Sequence, residues 1–205
     1  MRTAVLVFAI GLTAGLIGGP QVASQDKSEW TDLLARNGED WVRDGVGKSP
    51  WRMTTDHTLA CAAAEDSLGP NRAFGDGTFK FEYRFRAAEG GAKPKYNATL
   101  YLRGAADGSW CRLALGEDCG ALTVALAGGG DRQKTVEVPG PAGLARAAGE
   151  WNQVEVNLSG KAVEVHVNAR QAASFVRANA GKTRVALEVA GSEVEFRNVL
   201  WKSSK

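Results

Sequence analysis

In the run Thr78-Phe79-Lys80-Phe81-Glu82-Tyr83-Arg84-Phe85-Arg86, four charged side chains alternate with four aromatic ones. A spacing of two is the period of a β-strand, so Lys80, Glu82, Arg84 and Arg86 share one face while Phe79, Phe81, Tyr83 and Phe85 share the other. A carboxylate held mid-strand on a polar face can serve as a general base, and neighbouring guanidinium groups can stabilise the anion that proton removal creates. The competing role for the same charges is pairing across a sheet, each pair contributing roughly 0.2–1 kcal/mol. Six tryptophans are available for stacking on a sugar ring. Trp41, Trp51 and Trp151 read as core positions or strand starts.

Other chemistries lack their residues. No Gly-rich phosphate loop opens a helix after a strand, and no Gly-x-Ser-x-Gly elbow is present. The two histidines, His57 and His166, stand far from any paired-cysteine spacing, so no metal and no cofactor is expected. Charges nearly balance at a formal +2, and the basic residues are scattered. Nucleic acid is therefore not an expected partner. Of the three cysteines, Cys61, Cys111 and Cys119, the last two flank a short segment containing Gly116, and a local disulfide between them is expected. The alternative is three small buried apolar side chains.

Alternation recurs along the chain and breaks at Gly, Pro, Asn or Asp, the pattern of half-buried strands joined by turns. Strands are expected at Asn97 to Arg103, Trp110 to Leu115, Leu122 to Ala127, Thr135 to Val138, Val154 to Leu158, Val163 to Asn168, Arg184 to Val189 and Val194 to Trp201. Ser159-Gly160-Lys161 is expected to be a hairpin turn. Weaker strand candidates lie near Trp51 and Leu59, and one or two helical turns are expected around Trp30 to Arg36. Loops are expected at 89–95, 128–131 and 139–149. About a dozen short strands fit two packed sheets, an all-β sandwich.

At the start, Arg2 precedes an apolar run from Ala4 to Ile17, and Val22-Ala23-Ser24 offers small residues for cleavage. This reads as an export signal over residues 1–24, followed by one domain over 25–205. The expected location is secreted or periplasmic, with no membrane attachment once the signal is removed.

Several segments resemble the 3-keto-disaccharide hydrolase domain family. They are Trp30-Thr31-Asp32-Leu33-Leu34 with Asn37-Gly38 and Trp41, then Phe74-Gly75-Asp76-Gly77-Thr78-Phe79 with Phe81-Glu82-Tyr83-Arg84. Asn97-Ala98-Thr99-Leu100-Tyr101-Leu102-Arg103-Gly104 and Gly149-Glu150-Trp151-Asn152 with Val154-Glu155-Val156 follow. The last is Gly191-Ser192-Glu193-Val194-Glu195-Phe196-Arg197-Asn198-Val199. The resemblance covers most of the chain beyond the signal and implies a concanavalin A-like jelly-roll sandwich. It also implies cleavage of glycosidic bonds in sugars oxidised at the third carbon, where the ketone acidifies the neighbouring C–H.

On that resemblance Glu82 is the expected base and Arg103 the group that holds the enolate. Arg84, Asn97, Tyr101, Trp110 and Glu155 are expected sugar contacts, with Trp110, after the Gly108-Ser109 turn, facing the ligand. The expected partner is a carbohydrate or keto-glycoside.

Three segments depart from the family pattern, one of them Asn168-Ala169 in place of the Asn-Gly turn that follows the hairpin. Where the family carries a "YEVQILD" strand bearing Glu and Gln, this chain has Trp110-Cys111-Arg112-Leu113-Ala114-Leu115, and Leu187-Glu188-Val189-Ala190 stands where a histidine is common. These departures leave two functions open: a hydrolase of 3-keto-disaccharides or related keto-glycosides, and a non-catalytic glycan-binding module on the same fold.

Overall fold

A computed structural model describes residues 30–87, 96–104, 108–126, 134–176, 178, 181–182 and 184–204, with only the backbone of 103 and 104. The expected signal segment and the expected loops at 89–95 and 128–131 lie outside the described residues. The strands are β1 (Thr31–Asp32), β2 (Trp41–Arg43), β3 (Trp51–Met53), β4 (Leu59–Cys61), β5 (Glu65–Pro70), β6 (Gly77–Phe85), β7 (Ala98–Gly104), β8 (Trp110–Ala114), β9 (Leu122–Leu126), β10 (Lys134–Val138), β11 (Asn152–Ser159), β12 (Ala162–Val167), β13 (Arg170–Val176), β14 (Arg184–Ala190) and β15 (Val194–Ser203).

They form two antiparallel sheets. One is eight-stranded, in the order β13-β12-β11-β6-β15-β4-β3 with β1 also paired to β15, and the other is seven-stranded, in the order β10-β9-β8-β7-β14-β5-β2. The chain crosses between sheets repeatedly, most simply at Gly191, where β14 of one sheet leads to β15 of the other. This is the two-sheet sandwich that the alternation of apolar and polar residues implies, with the jelly-roll form that the family resemblance implies.

The inward faces are apolar as the period-two pattern requires. Phe79, Phe81, Tyr83 and Phe85 are all buried, facing inward residues of the second sheet such as Leu100, Leu102, Leu113, Leu187 and Val189. One end of this core is an aromatic cluster, with the Phe79 ring 4.9 Å from Phe74 and 4.4 Å from Trp201. Gly77 lets the strands close over it. At φ +157°, an added Cβ there would lie 2.3 Å from the Lys202 carbonyl oxygen and 2.4 Å from the Trp201 ring. Gly77→Ala is therefore expected to cost about 1–3 kcal/mol through forced repacking, seen as a lower melting temperature.

Three expectations change. No helix forms at 30–36: Thr31 and Asp32 pair with β15, Leu33 N–H donates to Val199 O at 2.8 Å, and a single 3₁₀ turn follows at Ala35–Gly38. Arg36 and Asn37 adopt left-handed φ values of 55° and 56°, which an α-helix cannot continue through. Second, Cys111 and Cys119 are not bonded; both are buried thiols, as is Cys61. Cys119 sits beyond a turn beside Ala114, where Gly120 N–H meets Ala114 O. Along β8 Ala114 is about 10 Å from Cys111, outside the reach of a disulfide. Burial pushes the Cys61 thiol up to about 12 and also raises Cys119, whose Sγ lies 3.1 Å from the Tyr83 hydroxyl. Third, β13 is a strand that alternation does not announce. It follows a tight turn in which Asn168 and Ala169 take φ 50° and 63°, a primed hairpin turn built without glycine.

Candidate functional site

The outer face of the eight-stranded sheet carries three of the expected site residues, and neighbours neutralise all three. Arg197 Nε donates to Glu82 Oε2 at 2.6 Å and Asn198 Nδ2 donates to Oε1 at 3.3 Å. Arg84 Nε donates to Glu195 Oε2 at 2.5 Å, and Lys80 Nζ lies 2.9 Å from Glu155 Oε2. Burial would raise the Glu155 carboxyl, but the Lys80 ammonium reverses this and holds it below the usual carboxylate value. Trp151 completes the ladder, with the Arg84 and Arg197 guanidinium carbons 4.5 Å and 4.0 Å from its ring centre. Glu82 and Glu155 do border one shallow depression, together with His166.

The remaining expected residues belong to the seven-stranded sheet. Tyr101 on β7 and Trp110 on β8 project outward as half-buried rings with centroids 5.9 Å apart. Asn97 lies just before β7, at the exposed end of the same face. The backbone of Arg103 is in β7 as well; its side chain lies outside the described residues. Glu82 points away from the core that separates the sheets. The structure therefore does not bring Glu82 and the strand of Arg103 to a common face.

The outward faces of β8, β7, β14, β5 and β2 build a groove. Backbone pairing sets Arg112 beside Tyr101 and Tyr101 beside Ala186, while Thr99, Glu188 and Ser67 form the adjoining row. Asp44 extends that row through its N–H to Ser67 O, at 3.3 Å. Gly69 and Ala186 are too small to fill the space between Tyr101 and Val42, which leaves a depression of about 270 Å³. Gly69 is also required structurally, because a Cβ there would lie 2.2 Å from the Val185 carbonyl oxygen. A second depression, bordered by Glu65, Asn97 and Thr99, shares Asp44, Ser67, Arg112 and Glu188 with the first.

Arg112 dominates the groove. Its guanidinium carbon is 4.7 Å from the Tyr101 ring centre and 4.6 Å from that of Trp110, and Nη2 is 3.8 Å from Glu188 Oε2. That distance is too long for a hydrogen bond. Nε is buried with no hydrogen-bond partner among the described residues. The groove thus offers a guanidinium, a carboxylate beside it, the Tyr101 ring and a floor of small residues, with Trp110 packed against the guanidinium. This combination can stack a sugar ring, bind hydroxyls and stabilise a developing oxyanion.

Sequence reasoning did not select Arg112, Glu188, Ser67 or Asp44 as site residues. The signal for the first two was present, since both lie in the segments that depart from the family pattern and both take outward positions in an alternating strand. Ser67 lies in β5, whose Gly69-Pro70 ending resembles a turn, and Asp44 just follows the three-residue β2. No group of three or more His, Cys, Asp or Glu side chains is placed to hold a metal ion among the described residues.

Solved structures share this sandwich. A candidate glycosyl hydrolase of Parabacteroides distasonis superposes with a TM-score of 0.63 at 13% identity, covering 85% of this chain and 99% of its own. The carbohydrate-binding module CBM66 of Bacillus subtilis gives 0.58 at 12% identity, covering 80% and 96%. The β-glucanase of Bacillus licheniformis gives 0.58 at 8% identity, covering 86% and 97%. At such identities the likeness carries the fold alone. No curated protein matches the sequence. The family model described as the 3-keto-alpha-glucoside-1,2-lyase-like domain matches residues 25–202, nearly all of the chain, and the chain therefore belongs to that family.

Proposed function

We propose that the chain is an exported carbohydrate-active protein that cleaves the glycosidic bond of a 3-keto-glycoside in the groove of the seven-stranded sheet. The observation that carries this reading is the placement of Glu188 beside Arg112 between the two depressions. Glu188 takes the proton from the carbon next to the ketone, and the electron pair moves onto the ketone oxygen. The resulting enolate faces Arg112. As it collapses, the bond from the anomeric carbon to the glycosidic oxygen breaks, and the departing sugar takes a proton from water. Tyr101 and Trp110 hold the ring by stacking. A base and a positioned cation are the two groups that such an elimination needs.

A second reading, glycan binding without cleavage, is favoured by Trp110, which occupies an outward position on a strand where the family pattern carries polar groups. Sugar release from a panel of 3-keto-glucosides separates the readings. Glu188→Gln is expected to lose about 10²–10⁴-fold in turnover with an unchanged melting temperature, while Glu82→Gln keeps its activity. The reverse result would move the chemistry to the eight-stranded sheet. Sugar binding without release in the unmodified protein would establish the second reading.

A further inference from the structure

We infer that Arg43 is a positioning residue that holds segment 44–47 as a wall of the groove, so that the Asp44 carboxylate accepts hydrogen bonds from sugar hydroxyls. This rests on the groove of the seven-stranded sheet being the glycan site. One guanidinium gathers the segment. Nε and Nη2 of Arg43 reach Asp66 Oδ2 at 2.6 Å and 2.5 Å, Nη1 donates to Gly47 O at 2.8 Å and Nη2 donates to Val46 O at 3.1 Å.

The anchor is fixed on the sheet. The Asp66 side chain is only 2% exposed, and its Oδ1 accepts the Ser67 N–H at 2.7 Å. Burial would raise the Asp66 carboxyl, but Arg43 and the Ser67 amide overcome this and hold it below the ordinary value. The segment has little else to hold it. Val46 is 95% exposed, and among the described residues the one further backbone bond of the segment is that of Asp44 to Ser67. A Cβ at Gly45 would lie 2.7 Å from Arg43 Nη2, so the backbone passes directly against the guanidinium.

Only a planar fork can serve a carboxylate and two carbonyls at once; a lysine ammonium could keep the charge without this geometry. What the arrangement fixes is Asp44, which borders both depressions of the groove beside Glu188 and Arg112.

The test compares the unmodified protein, Arg43→Met and Arg43→Lys, using backbone amide exchange and the kinetics of a 3-keto-disaccharide. If no release occurs, the dissociation constant for the parent disaccharide replaces KM. In Arg43→Met the amides of 44–47 are expected to exchange faster while those of β6 and β11 stay protected. KM should rise about tenfold, the worth of one hydrogen bond to the sugar, with kcat within about twofold. Arg43→Lys should fall between. Unchanged exchange at 44–47 would overturn the inference, and so would faster exchange with unchanged KM. Failure of the underlying reading shows separately, as a Glu188→Gln variant that retains full turnover.

Discussion

Arg112→Ala is expected to lower turnover of a 3-keto-glucoside by about 10²–10³-fold, the usual consequence of removing one preorganised oxyanion donor. The expectation follows from how little of this guanidinium the protein itself uses. Two rings hold it at 4.7 Å and 4.6 Å, each such contact contributing roughly 0.5–1 kcal/mol at a partly exposed site. Those contacts fix its plane without consuming its N–H groups. Its nearest carboxylate oxygen among the described ion pairs is 3.8 Å away on Glu188, beyond hydrogen-bond reach, and the residue borders both depressions of the groove.

Arg112→Lys should recover only part of the activity, because an ammonium supplies charge without the planar fork. A fall in kcat with nearly constant KM places the contact in the transition state, and a rise in KM alone makes Arg112 a binding residue. Unchanged kinetics in Arg112→Ala would remove the chemistry from this groove. Tryptophan fluorescence provides the structural control, since Trp110 loses the cation from its ring.

The contrast with the opposite sheet explains what the sequence could and could not reveal. Period-two alternation placed Glu82, Arg84 and Lys80 on one outward face, and that placement holds. Alternation says nothing about partners, because those depend on which distant strands lie alongside. β15 brings Arg197 to Glu82 and Glu195 to Arg84, and β11 brings Glu155 to Lys80. Each of these charges consequently meets an opposite one across a backbone pairing that no local pattern specifies. Arg112 was equally visible as an outward strand residue, yet its nearest charged partner, Glu188, lies two strands away across β7.

The same limit applies to the elements. Strands with large alternating side chains, such as β6, β11 and β12, could be read directly. β5 could not, because its Gly69-Pro70 ending resembles a turn; Gly69 is there to admit the Val185 carbonyl oxygen from β14. β13 was hidden by its small residues and by an alanine in the left-handed region. The cysteines were read by spacing, and spacing along the chain misled because Cys111 and Cys119 sit at opposite ends of β8.

Phe79→Ala is expected to cost about 3–5 kcal/mol, a large share of the roughly 5–15 kcal/mol that holds a typical domain together. The Phe79 side chain is 2% exposed and packs against Phe74 and Trp201, whose own rings are 5.2 Å apart. The cavity left behind cannot close easily. Trp201 is already pressed against the backbone at Gly77, and β6 is held by β11 on one side and β15 on the other. Chemical denaturation should show a lower midpoint with an unchanged slope, the mark of lost packing in a fold that still unfolds as one unit.

The adjacent residue supplies the comparison. Lys80 is 44% exposed and pairs with Glu155 at the surface, so Lys80→Ala should cost no more than about 1 kcal/mol. Two substitutions one residue apart then differ several-fold because one faces the core and the other faces water. If Lys80→Ala proved as costly as Phe79→Ala, the ion-pair ladder on the eight-stranded sheet would be a principal source of stability. That sheet's charges would then be committed to holding the fold, a further reason to seek the chemistry on the other face.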